Sequence, residues 1–155
     1  MNFELLWNVM NVVMVFWVLM IVGGWWRGTE AVMRSPYVAI VPVLVYVIVV
    51  IPEAATVLSE VSNPSVERIG ALLATPAGAT LAWAHFLAFD LLVGRWIYLD
   101  SRERRIPWLL VAPALFFTLM LGPVGFLIYM IERGVFAFIR REPAAAVLDP
   151  ALQRS

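Results

Sequence analysis

Apolar residues run along this chain in long blocks separated by short polar segments, and the blocks have the length of membrane-spanning helices. Crossing a hydrocarbon layer takes roughly 20 mostly apolar residues at about 1.5 Å of rise each. Four segments meet that length: residues 3–22, ending at "GGWWRG"; residues 37–58, bent by Pro42 and Pro52; residues 79–99; and residues 107–131. Pro107 suits a helix start, and Gly122-Pro123 predicts a kink partway through the fourth span. Between the second and third spans, "SEVSNPSVERIGALLATPAG" reads as a loop carrying one short interfacial helix at about Val66 to Leu73. The predicted fold is all-α, an integral membrane bundle of four transmembrane helices. It forms a single domain over residues 1–141, without an internal repeat. Residues 142–155, rich in Ala and Pro with little apolar periodicity, read as a loose tail.

Composition agrees with this pattern. Of 155 residues, 63% are hydrophobic and 14% charged, and the mean hydropathy is +0.88. A water-soluble domain of this size would have to expose too much of that apolar surface. Eleven basic residues balance eleven acidic ones, so no basic field points to a nucleic-acid partner. The absence of cysteine excludes disulfides, thiol redox chemistry and thiolate metal sites. Every basic residue is arginine and none is lysine, which rules out a lysine Schiff base and fits a GC-rich, bacterial source. The expected location is a bacterial inner (cytoplasmic) membrane, crossed several times. "MNFELLWNVMNVVMVFWVLMIV" lacks a basic leading region and an A-x-A-like cleavage site, so it is read as a mature span.

Trp25, Trp26, Tyr37, Trp83, Trp96, Tyr98 and Trp108 cluster at span ends, as in aromatic belts at headgroup level. Four spans place both termini on one face. That face collects Arg68, Arg133, Arg140, Arg141 and Arg154, and the other collects Arg27, Arg34, Arg102, Arg104 and Arg105. Five against five leaves the positive-inside rule undecided.

The chemistry gathers in the third span. Asp90 lies near its centre, where insertion scales put the cost of a charge at about 2.5–3.5 kcal/mol. His85 and Arg95 sit five residues to either side, about 7.5 Å along the axis and about 140° around it. Asp90 therefore faces away from both, and each of the three needs a partner from another helix, a ligand or a cavity. Glu4, Asn8 and Asn11, spaced i, i+4, i+7, form one polar stripe expected to face the bundle interior. The second span offers Tyr46, Glu53 and Thr56, and the fourth Thr118 and Tyr129. Ala84 and Ala88 make a small-residue surface for close helix approach, and Gly94 leaves room beside Asp90.

Plainer readings stand beside these. Arg95 also reads as a snorkelling or network-capping side chain, His85 as a satisfied structural histidine, and Asp90 as a hydrogen-bonded tie between helices. In the "YLDSRERR" segment Asp100 and Arg104 are spaced to pair. A transition metal at His85 would need Asp90 and Glu53 beside it, so neither a metal nor another cofactor is expected. Axial ligation of a haem or chlorophyll by His85 remains open.

The segment from Thr75 to Arg133 resembles the signature of the abscisic-acid-deficient-4-like family of small membrane proteins. The pattern "W-x-H-x-L-x-x-D-L-x-x-x-R" falls on Trp83, His85, Leu87, Asp90, Leu91 and Arg95, and "G-P-x-G" on Gly122, Pro123 and Gly125. Asn8, Asn11 and "RSPY" at Arg34 to Tyr37 fit more loosely. Plant members are required to make neoxanthin from violaxanthin. The resemblance implies a four-helix membrane protein that binds or isomerises a carotenoid or another apolar polyene. An epoxide opens and a proton is lost with no change of oxidation state, which suits acid–base catalysis. Asp90 would donate the proton and His85 or another carboxylate would accept it, with Arg95 assisting. Asn8, Asn11, Tyr46, Glu53, Trp83 and Trp96 are the candidate substrate-binding residues. The alternative is a non-catalytic or pigment-binding subunit of a larger, photosynthetic membrane complex, or a homo-oligomer. A third reading, a small proton-coupled transporter, has no inverted repeat to support it.

Overall fold

The computed structural model describes residues 1–140, and among these every regular element is helical. The tail expected at 142–155 lies outside the described residues. In chain order the elements are α1 (Phe3–Val22), α2 (Arg27–Met33), α3 (Pro36–Ser62), α4 (Val66–Leu73), α5 (Pro76–Glu103), α6 (Trp108–Leu121) and α7 (Pro123–Ile139). Three of them, α1, α3 and α5, are long and apolar enough to cross a membrane, with 20, 27 and 28 residues. Their outer faces leave Val15, Val18, Ile48 and Ile51 exposed, a surface suited to lipid rather than water.

Local sequence sets the ends. Asn2 caps α1 through its side chain, Ser65 caps α4, and Thr75 caps α5 with Pro76 in the first turn, each oxygen satisfying an otherwise unpaired N–H. The helix expected at Val66–Leu73 occupies those residues. The short α2 was not anticipated. Its sequence, "RGTEAVM", is too polar and too short to carry an apolar stripe, and contacts from other elements hold it. Thr29 donates to the Gly23 carbonyl at 2.8 Å. The Arg95 guanidinium, from α5, donates to the carbonyls of Met33, of Arg34 (2.9 Å) and of Ser35 (3.2 Å), filling the unpaired acceptors that a helix end leaves.

The fourth expected span is not a single kinked helix. It is split at Gly122 into α6, of 14 residues, and α7, of 17 residues, and the two pack as an antiparallel hairpin. The direction of α7 is fixed by its polar contacts. Tyr129 donates to Asp100 at 2.6 Å, Arg133 approaches the same carboxylate at 3.3 Å, and Arg140 donates to the carbonyls of Arg104 and Arg105 at 2.8 and 3.2 Å. The chain thus returns to the end of α5 from which α6 departed. Fourteen residues extend only about 21 Å, so α6 stops near the depth of Asp90. The reversal has a local cause: Gly122 has φ 37°, a left-handed value natural to glycine. Pro123, lacking an N–H, then opens the next helix.

This hairpin changes the polarity of the molecule. Phe3, Ser62 and Pro76 gather at one end of the bundle; Val22, Pro36, Glu103, Trp108 and Ile139 gather at the other. Arg27, Arg34, Arg102, Arg104, Arg105, Arg133 and Arg140 all lie towards the second end, and among the described residues Arg68 alone lies at the first. The even division expected from four spans gives way to a strong bias.

Glu30 ties α2 to α5 by accepting from Arg34 at 2.7 Å and from Arg102 at 3.3 Å. The Arg34 hydrogen bond, together with Arg102, holds its carboxyl below the usual glutamate range against a smaller opposing effect of burial. A lowered folded-state pKa stabilises the fold above the unfolded value, about 4.3, and that contribution disappears as pH falls through the folded value. Acidification from pH 6 to below pH 4 should therefore lower the thermal midpoint in detergent through this group. A Glu30→Gln chain should lack that component of the fall, as scanning fluorimetry against pH will read.

Candidate functional site

Asp90 sits midway along α5, where the tip of the α6–α7 hairpin meets it. A Cβ at Gly122 would lie 2.7 Å from Asp90 Oδ1, so the carboxylate rests against a backbone that only glycine leaves open. Between this contact and α1 is a cavity of about 390 Å³, lined by Met14, Trp17, Trp83, Phe86, Leu87 and Asp90 and by residues 119–123. Asp90 is its one titratable group. Among the described residues, the ion pairs lie towards the helix ends, and none includes Asp90 or His85.

The cavity walls are held in place. The Trp83 ring stacks on Trp7 with centroids 5.3 Å apart and planes 5° from parallel. Trp83 donates its indole N–H to Asn11 Oδ1 at 3.1 Å, and Trp7 donates to Thr80 at 3.0 Å. Trp17 is 1% exposed and lies over Gly94, where a Cβ would meet its ring at 2.5 Å. The room that Gly94 provides is thus filled by tryptophan, and Gly122 supplies the opening beside Asp90. Trp17 Nε1 is buried with no hydrogen-bond partner.

Other expected site residues are placed elsewhere. His85 is exposed on the outside of α5, stacked on Phe89 at 4.6 Å with Tyr46 at 6.1 Å. Arg95 is committed to the carbonyls at the α2–α3 junction. Glu53 borders a separate hollow with Phe3 and Thr75 at the far end. Trp96 packs edge-on to Tyr129 at 5.7 Å, with Arg133 over its ring at 5.7 Å, bracing the hairpin. Of the polar stripe on α1, Asn11 turns inward to Trp83, whereas Glu4 and Asn8 are exposed. Those two occupy the first turns of the helix, where the headgroup region can solvate them, and so they do not face the bundle interior. Among the described residues no three His, Asp or Glu side chains converge as a metal site.

Trp17, Phe86 and Met120 complete the cavity without having been singled out from the sequence. The Gly-Pro pair carried a signal, and it was read as a kink. The site brings together a carboxyl group at mid-bundle depth, aromatic walls and a glycine backbone. Such an arrangement can hold a flat apolar group and exchange one proton with it.

A family model described as ABA4-like: ABA DEFICIENT 4-like matches residues 5–129. No curated protein and no solved structure matches the chain.

Proposed function

Since this chain belongs to the ABA4-like (ABA DEFICIENT 4-like) family, we infer that it is an integral membrane protein that binds a carotenoid or similar polyene and isomerises it at Asp90. The observation that carries this reading is the cavity in which Asp90 alone can transfer a proton, walled by Trp17, Trp83 and Phe86. Aromatic faces suit a conjugated, unsaturated end group, and the apolar lining excludes water that would compete for the proton.

A single carboxyl is sufficient for the reaction. In its protonated form Asp90 donates to an epoxide oxygen as the C–O bond breaks. The resulting carboxylate then removes a ring-side proton as the new double bond forms. One proton enters at oxygen and one leaves at carbon, so the product is an isomer and Asp90 is regenerated. His85 lies outside this cavity and takes no part in the step.

The arginine distribution orients the protein. Arginines are retained on the cytoplasmic side, so the end formed by Val22, Pro36, Glu103 and Ile139 faces the cytoplasm of a bacterial inner membrane, and the hairpin enters from that side. Reporter fusions should be active as cytoplasmic GFP after Arg140, and single cysteines at Ser62 should be labelled only from outside. Labelling of position 62 from the cytoplasm reverses this assignment.

A second reading, a pigment-binding subunit of a larger assembly, draws on exposed His85, which is free to ligate a macrocycle from the bilayer. Pigment extraction after mild detergent purification separates the two. Carotenoid bands that survive His85→Phe support the isomerase reading. Magnesium-porphyrin bands that disappear in His85→Phe support the second, and a colourless protein that converts no epoxy-carotenoid overturns both.

A further inference from the structure

The cytoplasmic end contains a second, larger cleft, of about 940 Å³, between α2 and the α5–α6 turn. Arg34, Arg95, Arg102 and Arg105 line it against two carboxylates, Glu30 and Glu103. Glu30 is already shared by Arg34 and Arg102. Arg95 donates only to neutral carbonyls, so its charge has no carboxylate partner. Among the described residues Arg105 makes no ion pair.

Arg105 ends α5 in a left-handed conformation, φ 54°, common in the residue that follows a helix. Two hydrogen bonds close the helix end: Arg105 N–H donates to the Arg102 carbonyl at 3.0 Å and Ile106 N–H to the Ser101 carbonyl at 2.9 Å. Arg140 closes the turn from outside by donating to the carbonyls of Arg104 and Arg105. The opposite wall is equally fixed. Trp108 donates to the Met20 and Ile21 carbonyls at 3.2 and 3.1 Å, and Trp25 meets its ring edge-on at 4.8 Å. Paired indoles of this kind mark headgroup depth.

We propose that this cleft is a phosphate site, in which Arg105, with the outer faces of Arg34 and Arg102 and beside the unpaired charge of Arg95, holds the phosphate of an anionic membrane lipid. The arginine fork matches two phosphate oxygens at once, and the excess of cations over carboxylates in the cleft disfavours zwitterionic lipids. The proposal rests on the membrane reading above, which is tested separately by recovery of the chain in the membrane fraction.

The experiment is native mass spectrometry of the detergent-purified chain titrated with phosphatidylglycerol or phosphatidylcholine. One phosphatidylglycerol should be retained at collision energies that strip phosphatidylcholine. Arg105→Gln, at a side chain that makes no hydrogen bond or ion pair among the described residues, should weaken retention about five- to tenfold. Arg27→Gln, at the same end but outside the cleft, should leave it unchanged. Inorganic phosphate that competes with the lipid, with the same dependence on Arg105, places the chemistry in a soluble ligand at this site, and phosphate without effect assigns it to the lipid. Equal weakening by Arg27→Gln, or equal retention of phosphatidylcholine, overturns the proposal by reducing the cleft to diffuse surface charge.

Discussion

Asp90→Asn should retain its bound pigment yet lose conversion of an epoxy-carotenoid by a factor of about 10²–10⁴, the usual contribution of a positioned acid or base. The amide has nearly the same shape as the carboxyl, so the contact with Gly122 and the aromatic walls survives. In the proposed reaction, what disappears is the proton that opens the epoxide and the oxygen that collects a proton afterwards. Because the cavity holds no second titratable group, no neighbour takes over. His85→Gln, by contrast, should leave the rate within about twofold, since His85 lies on the outer face of α5 and a surface substitution away from such features changes little. The measurement is conversion per chain in proteoliposomes, with pigment content read on the same sample. Full activity in Asp90→Asn sinks the acid–base role.

Gly122→Val should be strongly destabilising. Its φ of 37° is costly for a residue with a Cβ, by about 1–2 kcal/mol, and more so when that Cβ is branched. The added atoms would also press on Asp90 Oδ1, 2.7 Å from where the Cβ must stand, and overpacking of this kind costs roughly 1–3 kcal/mol. Together these give on the order of 3 kcal/mol. Gly122→Ala should cost less, and part of its cost should be relieved in combination with Asp90→Ala, because only the steric part involves Asp90. A thermal double-mutant cycle in detergent reads this coupling. Strict additivity contradicts the contact between the hairpin tip and α5.

The long helices were legible because lipid demands a long, uniform apolar run. "NFELLWNVMNVVMVFWVLMIV" can satisfy its backbone at that depth only as a helix, and the same holds for α3 and α5. Proline marked the helix start at Pro107, and the polar loop between the second and third spans left room for the short helix at Val66–Leu73. The hairpin was not legible, because its two halves are as apolar as a single kinked span, and hydropathy does not record direction. What distinguishes them is long-range: Tyr129, Arg133 and Arg140 return to residues 100–105. Asp90 stood out through its energetic cost and its place in the motif that carries the resemblance. Its surroundings did not, because Trp17 enters the cavity from α1 and Gly122 meets Asp90 from the hairpin tip, neighbours that no spacing within the third span encodes. Arg95, five residues further along, carried the same signal and proved to hold a helix junction.

The most direct test of the central claim is the carotenoid content of a chain whose cavity has been filled. Met120 lines the cavity and is 54% exposed, so Met120→Trp can enlarge the side chain without disturbing the core; Phe116, on the same helix and 47% exposed, lies outside the cavity. After purification from carotenoid-producing cells, pigment per chain and visible circular dichroism should approach one bound, twisted chromophore in the parent and in Phe116→Trp. In Met120→Trp the pigment should fall about tenfold with the thermal midpoint unchanged. Full pigment content in Met120→Trp, or the same loss in Phe116→Trp, would contradict binding in the cavity beside Asp90.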